Sequence, residues 1–260
     1  MDDATIQAAG DALFDAWRTR SPIAPLSDGH PQMTVDDAYR VQQRMITRRL
    51  ESGVRVIGKK IGLTSKVVQK MLGVDQPDFG YLLSDMVWAD GDAIPMTRLI
   101  APKVEGEIAF VLKHTLRGPG VTNADVLRAT EYVMPCFEIV DSRIRDWKIR
   151  IQDTVADNAS AGVFVLGDRA VDPREVDLSL CGMVLEKNGE VVATGAGAAA
   201  LGSPVNSVTW LANRLGQLGI ALEAGEVVLS GSLAAMVPAQ AGDSFRCTIG
   251  GIGAVSTRFV

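Results

Sequence analysis

The chain has 260 residues, enough for one large domain with a sizeable core or for two small ones. Hydrophobic residues make up 47% of it, which excludes an intrinsically disordered chain, and a formal net charge of -5 without a Lys/Arg patch argues against a general nucleic-acid binder. Cys136, Cys181 and Cys247 form no CxxC pair, which excludes a zinc ribbon or a thioredoxin-type motif and suits a reducing compartment.

Residues 4–20 place Ile6, Ala9, Leu13, Phe14 and Trp17 at helical spacing, and Pro22 and Pro25 end that helix in a loop. The acidic opening "MDDATIQAAG" has no apolar h-region, and no apolar run reaches membrane-spanning length. A soluble cytoplasmic protein is therefore expected, with no membrane partner. "TVDD" at 34–37 reads as a capping box, with Thr34 as N-cap, opening a helix to about Leu50 that Gly53 stops. Residues 1–53 thus form an N-terminal helical layer.

From Val54 the period changes to two. "VRVIGKKIGL" sets Val54, Val56, Gly58 and Lys60 on one strand face, and a short helix between Ser65 and Gly73 follows. "TNAD" at 122–125 opens another helix, which leads into the strand "YVMPCFEIV". "ASAGVFVLGD" is a strand, and "SLCGMVLEKNGEVVATG" is a hairpin turning at "KNGE". "VNSVTWLANRLGQLG" is a helix with Trp210, Leu211, Leu215 and Leu218 near one face, and the tail is a run of strands and Gly-rich turns. "TGAGAAALG" lacks the third glycine of a dinucleotide loop. Mixed connections of this kind predict an α+β fold with a rolled mixed β-sheet over residues 54–260, continuous with the N-terminal helices, rather than alternating βαβ units.

Two acids stand out in "KVEGEIAFVL" at 103–112. On a strand, Glu105, Glu107, Ala109 and Val111 share one face, and Val104, Ile108, Phe110 and Leu112 the other. The two carboxylates are roughly 6.5–7 Å apart along the backbone. This segment fits two surface acids on a solvated face, or half of a metal site in which a cation relieves their repulsion. Glu138 in "CFEIVDSR", flanked on its face by Cys136 and Val140, supplies a third carboxylate. Three such ligands suit a hard divalent cation, Mg²⁺ or Mn²⁺. Lys60 is the candidate to balance the remaining charge, and it also fits a snorkelling surface lysine. His30 and His114 lie in loops and are not placed as triad bases.

The series "GKKIGLTSK", "QPDFGYL", "KVEGEIAF", "CFEIVDSR", "DWKIRIQDTVADNASAG" and "GAGAAALGSPVNSVTWLAN" resembles the 2-hydroxypenta-2,4-dienoate hydratases of the fumarylacetoacetate hydrolase superfamily, nearly end to end. The resemblance implies a rolled β fold, Mg²⁺ or Mn²⁺ held by Glu105, Glu107 and Glu138, and a substrate pocket with Lys60, Asp78 and Ser160. Hydrolase branches often carry Asp at the third ligand position, where this chain has Glu138. The 2-oxo-3-hexenedioate (4-oxalocrotonate) decarboxylases tend to lack the acid matching Asp78. The resemblance also implies homo-oligomers and association with the decarboxylase of the same meta-cleavage pathway.

The expected reaction is hydration of 2-hydroxypenta-2,4-dienoate to 4-hydroxy-2-oxopentanoate by way of a 2-oxo-3-enoate. Asp78, in a turn-like loop able to close over substrate, is the expected acid/base, and an ordinary turn aspartate is the alternative. Lys60 offsets carboxylate and enolate charge, and Ser160 donates to the substrate carboxylate. The decarboxylase and a non-enzymatic binder of small oxo-acids are the rival readings.

Overall fold

The structure is a computed structural model that describes residues 1–66, 69, 70 and 73–260. Helix α1 (Asp3–Thr19) is capped by the Asp2 carboxylate, which accepts from the Thr5 N–H at 2.8 Å. A single-turn helix, α2 (Leu26–Gly29), follows within the loop expected after Pro22. Helix α3 (Val35–Glu51) opens with the expected capping box of Thr34 and Asp37. Ile6, Leu13 and Phe14 of α1 and Val41 and Met45 of α3 belong to one buried cluster with Leu26, Val155 and Ala156. Asp11 pairs with Arg44 and Arg48 at 2.8 and 2.9 Å along the outer seam.

The remaining elements in chain order are β1 (Val56–Gly62), β2 (Asp78–Leu83), β3 (Val87–Ala89), β4 (Ala93–Ile94), β5 (Lys103–Leu112), α4 (Asn123–Ala129), β6 (Thr130–Val140), α5 (Ile151–Ala156) and β7 (Ala161–Leu166). After them come β8 (Gly182–Lys187), β9 (Glu190–Ala196), α6 (Pro204–Gln217), β10 (Val227–Leu229), β11 (Val237–Pro238), β12 (Ser244–Ile249) and β13 (Gly253–Phe259). The helix expected between Ser65 and Gly73 falls partly on residues 67, 68, 71 and 72, outside the described residues; around them, the Gln69 N–H donates to the Ser65 carbonyl at 2.9 Å.

Two mixed sheets carry the fold. One has the order β2-β1-β10-β5-β6-β7-β3, with β11 also pairing β5; the other has the order β4-β13-β12-β8-β9. Pairs β1–β10, β3–β7 and β4–β13 are parallel and the others antiparallel, so the architecture is the expected α+β roll. Strand β12 alternates exposed and buried residues, as a sheet with one wet face must, whereas β2 is buried throughout. The β8–β9 turn is the expected one, with Asn188 and Gly189 both at positive φ (55° and 83°). On α6, Leu211 and Leu215 are buried, but Leu218 is 46% exposed: the helix has ended and the chain has turned by that residue.

Helix α3 reaches into the sheet. The Gln42 side-chain amide donates to the Phe79 carbonyl of β2 at 2.9 Å and to the Val155 carbonyl of α5 at 3.0 Å. Asp153, fully buried, accepts from the Ser27 N–H and hydroxyl at 3.0 and 2.6 Å and so ties α2 to α5.

Candidate metal centre and active site

Strand β5 lies inside its sheet, between β10 and β6, and the run from Gly106 to Phe110 is buried, so Glu107 does not sit on a solvated surface. Register places Glu105 directly opposite Glu138 and Glu107 opposite Cys136. All three carboxylates therefore project from one face, and an oxygen from each lies within 4.8 Å of the others. Glu107 and Glu138 are each 1% exposed, while Glu105 is half-buried at the cavity.

Electrostatics sharpen the point. Burial, then the Glu138 charge, push the Glu105 carboxyl up to about 7. The same two causes, joined by Glu105, raise Glu107 well above the usual carboxylate range. Burial also raises Glu138, against the pull of Lys60. Neither Glu138 oxygen accepts an aligned hydrogen bond, although the Lys60 ammonium stands 3.1 Å from Oε1. One cation beside three clustered acids, two of them buried, leaves them under-compensated. An all-oxygen set with unfilled lone pairs matches what a hard divalent cation takes.

Lys60 is 3% exposed, so the snorkelling alternative does not hold. Its ammonium donates to the Ala159 carbonyl at 2.9 Å. Burial alone would lower its pKa, but Glu138, Asp78, Glu105 and Glu107 together raise it, and the side chain stays charged. The neighbouring Lys59 points to the other face and pairs with Glu226 at 2.6 Å.

Asp78 departs from expectation. It is not in a turn but is the first residue of β2, paired with Gly62 of β1 and 2% exposed. A strand-fixed side chain cannot swing in on a loop; it is already in place. Burial raises its carboxyl and Lys60 opposes the rise, while its Oδ1 has no hydrogen-bond partner. Ser160 ends a left-handed turn of Asn158, Ala159 and Ser160 (φ 55°, 49° and 55°), and its hydroxyl lies 3.3 Å from that of Thr154. Lys60, Asp78, Glu105, Glu107 and Ser160 line one cavity of about 640 Å³, with Glu138 behind Lys60.

Several supporting residues escaped the sequence reading. Gly62 faces Asp78 so closely that a Cβ there would stand 2.2 Å from its Oδ1. The Gly231 N–H donates to Glu107 Oε2 at 2.8 Å from a φ of +102°, a conformation that favours glycine. Asn158 clamps β2 by accepting from the Tyr81 N–H (2.8 Å) and donating to the Tyr81 carbonyl (2.9 Å). Buried Arg143 binds the Asp157 carboxylate and donates to the Ala161 carbonyl at 2.8 Å, which fixes the turn carrying Ser160. Asp157 and Asn158 lie within the quoted "DTVADNASAG" motif, but their partners are remote in sequence and gave no local signal.

Residues 56–260 match the fumarylacetoacetate (FAA) hydrolase C-terminal family. The chain belongs to the fumarylacetoacetate hydrolase family. A Pseudomonas putida relative named 2-hydroxypent-2,4-dienoate hydratase is 64% identical over 222 residues, covering 85% of this chain and all of the relative. A Comamonas testosteroni relative named 2-hydroxyhexa-2,4-dienoate hydratase is 56% identical over 99% of this chain and 98% of its own length. Among solved structures, 4-oxalocrotonate decarboxylase from Pseudomonas putida G7, complexed with magnesium and adipate, superposes with a TM-score of 0.97 at 39% identity, covering 100% of this chain and 99% of that one. The magnesium in that neighbour accords with the carboxylate cluster of Glu105, Glu107 and Glu138 here. No helix among the described residues is long and apolar enough to cross a membrane.

Proposed function

We propose that this family member is a metal-dependent hydro-lyase that adds water to 2-hydroxypenta-2,4-dienoate, giving 4-hydroxy-2-oxopentanoate in the meta-cleavage degradation of aromatic compounds. The observation that carries the reading is a single cavity lined by Glu105, Glu107, a buried lysine and a buried aspartate whose Oδ1 has no hydrogen-bond partner, with Glu138 completing the carboxylate cluster. Hydratase relatives at 64% and 56% identity support it and make the chain an enzyme rather than an oxo-acid binder.

Glu105, Glu107 and Glu138 would hold the divalent cation, which when bound supplies Lewis acidity toward the substrate's C2 oxygen. Lys60 offsets the charge of the C1 carboxylate and of the developing enolate. The Ser160 hydroxyl donates to the carboxylate. Asp78 moves protons. In the first step C5 gains a proton and the C2 hydroxyl loses one, giving the 2-oxo-3-enoate. In the second, water adds its oxygen to C4 while C3 takes up a proton. A carboxyl raised by burial can hold and release a proton nearer neutrality than a surface aspartate, which suits general acid/base work.

The test is ultraviolet absorbance of freshly generated 2-hydroxypentadienoate, with and without Mg²⁺ or Mn²⁺, alongside CO₂ trapping. Metal-dependent loss of the dienol without CO₂ supports the reading. The structural likeness to 4-oxalocrotonate decarboxylase favours a second one, decarboxylation of 2-oxo-3-hexenedioate, which stoichiometric CO₂ from that dicarboxylate would establish.

The helical layer of 1–53 and the catalytic roll of 54–260 act as one unit in this reading, joined by Gln42. The enzyme works in the cytoplasm as a homo-oligomer and associates with the decarboxylase of its pathway. The edge strand β9, with Val191 and Val192 exposed, offers a surface for assembly. Light scattering that reports a monomer at all concentrations would rule out self-association.

A further inference from the structure

Thr154, on α5, lines the carboxylate cavity together with Asp78 and Ser160. It is buried, as Ser160 is. A threonine inside a helix can return its hydroxyl to the carbonyl four residues back. Here the Arg150 carbonyl already accepts the Asp153 and Thr154 N–H groups, at 3.0 and 3.1 Å. The Thr154 hydroxyl turns instead to the Ser160 hydroxyl, 3.3 Å away, and either of the two can donate. Among the described residues neither hydroxyl has a second aligned partner. The Asp78 carboxyl lies at the other end of the pair. Burial raises it, Lys60 opposes the rise most, and a hydrogen bond with the Thr154 hydroxyl adds to that opposition. The order in space is therefore Asp78, Thr154, Ser160.

The heavy atoms of the pair are held. The Ser160 N–H donates to the Asp157 carbonyl at 2.9 Å, the Ser160 carbonyl accepts from the Asp141 N–H at 2.8 Å, and β-branching restricts Thr154 at χ1. What stays free is rotation of the two hydroxyl hydrogens. Each hydroxyl has one hydrogen to give. One of the two fills the contact between them, so the pair has a single hydrogen to offer outward. When Ser160 donates to a bound carboxylate, Thr154 donates to Ser160 and shows Asp78 only lone pairs. Asp78 then keeps a proton of its own and donates it. When Asp78 is ionised, Thr154 donates to it, Ser160 donates to Thr154, and no hydrogen is left for the substrate.

We propose that Thr154 is a positioning residue that couples these two ends, so that binding of the substrate carboxylate at Ser160 draws a proton from the medium onto Asp78. In the hydratase reading, on which this rests, that proton goes to C5 while the C2 hydroxyl gives up its own. The Asp78 carboxylate so formed turns both hydroxyls back, and Ser160 lets go of the carboxylate.

The experiment is calorimetry of oxalate binding to the Mg²⁺-loaded protein in buffers of different ionisation enthalpy, which counts the protons taken up per oxalate. Wild type should take up as much as about one proton, at pH values where free Asp78 is ionised and oxalate-bound Asp78 is not; at lower pH both are protonated and the uptake falls. Asp78→Asn should abolish it, because the amide donates to Thr154 at every pH. Thr154→Val keeps the side-chain shape and removes the hydroxyl, and it should abolish the same increment; Thr154→Ser should keep it. Lys60 on β1, Tyr39 on α3, Glu105 on β5 and Glu138 on β6 share the field of Asp78. All four are present in every variant, so the difference between proteins isolates the Thr154 link. Uptake unchanged in Thr154→Val, absent from wild type at every pH, or lost in Thr154→Ser as in Thr154→Val would overturn the coupling. Oxalate binding involves no hydration, so these outcomes stand apart from the dienol assay on which the hydratase reading stands or falls. A wild type that binds no oxalate would overturn both.

Discussion

Gly62→Ala tests the placement of Asp78 without touching it. Gly62 is not among the residues at positive φ, so alanine suits the backbone and any effect must come from the added methyl. That Cβ would lie 2.2 Å from Asp78 Oδ1 and 3.3 Å from the Lys60 ammonium. Ordinary contact needs roughly 1 Å more, so the carboxylate must swing aside by about that distance, and Oδ1 has no hydrogen bond to hold it back. A misplacement of about 1 Å at a reacting group costs about 10²-fold in rate, or about 2.7 kcal/mol of barrier. Overpacking costs about 1–3 kcal/mol of stability, so the chain should still fold. The proposed ligands, Glu105, Glu107 and Glu138, come from β5 and β6, so metal affinity should hold. The assay compares kcat, KM and metal titration in wild type, Gly62→Ala, Asp78→Ala and the double variant. Because Gly62 acts through Asp78, adding Gly62→Ala to Asp78→Ala should cost nothing further. Near-normal kcat in Gly62→Ala, or an equal loss with Asp78 already gone, would refute the reasoning.

Chelation should abolish activity, and Mg²⁺ or Mn²⁺ should restore it; Glu107→Gln should weaken metal binding in calorimetry by more than the 10–100-fold typical of an outer-shell change while leaving the circular dichroism spectrum intact. Asp78→Asn should slow hydration by about 10² or more yet keep oxalate inhibition, because oxalate mimics only the C1 carboxylate and C2 oxygen. Lys60→Ala should weaken oxalate inhibition and turnover together, since bound and transition-state charge lose the same partner. Loss of oxalate affinity in Asp78→Asn as severe as in Lys60→Ala would remove Asp78 from its role. Gln42→Ala strips donors from two buried carbonyls, Phe79 and Val155, and should lower urea stability by about 1–3 kcal/mol for each one left unsatisfied, with the larger part of the loss seen even when metal is saturating.

Local chemistry in the sequence settled much of this protein. The capping boxes at Thr34 and Thr122, the Asn188–Gly189 turn and the strand character of residues 103–112 each depend on neighbours a few positions away, and each is found where expected. The acids, the lysine and Ser160 were legible as candidates because their surroundings are too apolar or too motif-like for ordinary surface residues. Alternation could not decide whether Glu105 and Glu107 face water, because that depends on what packs over that face of the sheet. Nor could spacing reveal that Glu105 lies opposite Glu138, since register between β5 and β6 is set by pairing across 33 residues of sequence. The "QPDFG" stretch read as a turn because Pro-Asp favours one in isolation; pairing of β2 with β1 overrode that preference and fixed Asp78 opposite a glycine. Gly231, Asn158 and Arg143 act only through partners distant in the chain. Such contacts exist only once tertiary packing has closed, because a hydrogen bond between remote residues belongs to a volume of space and not to a run of residues.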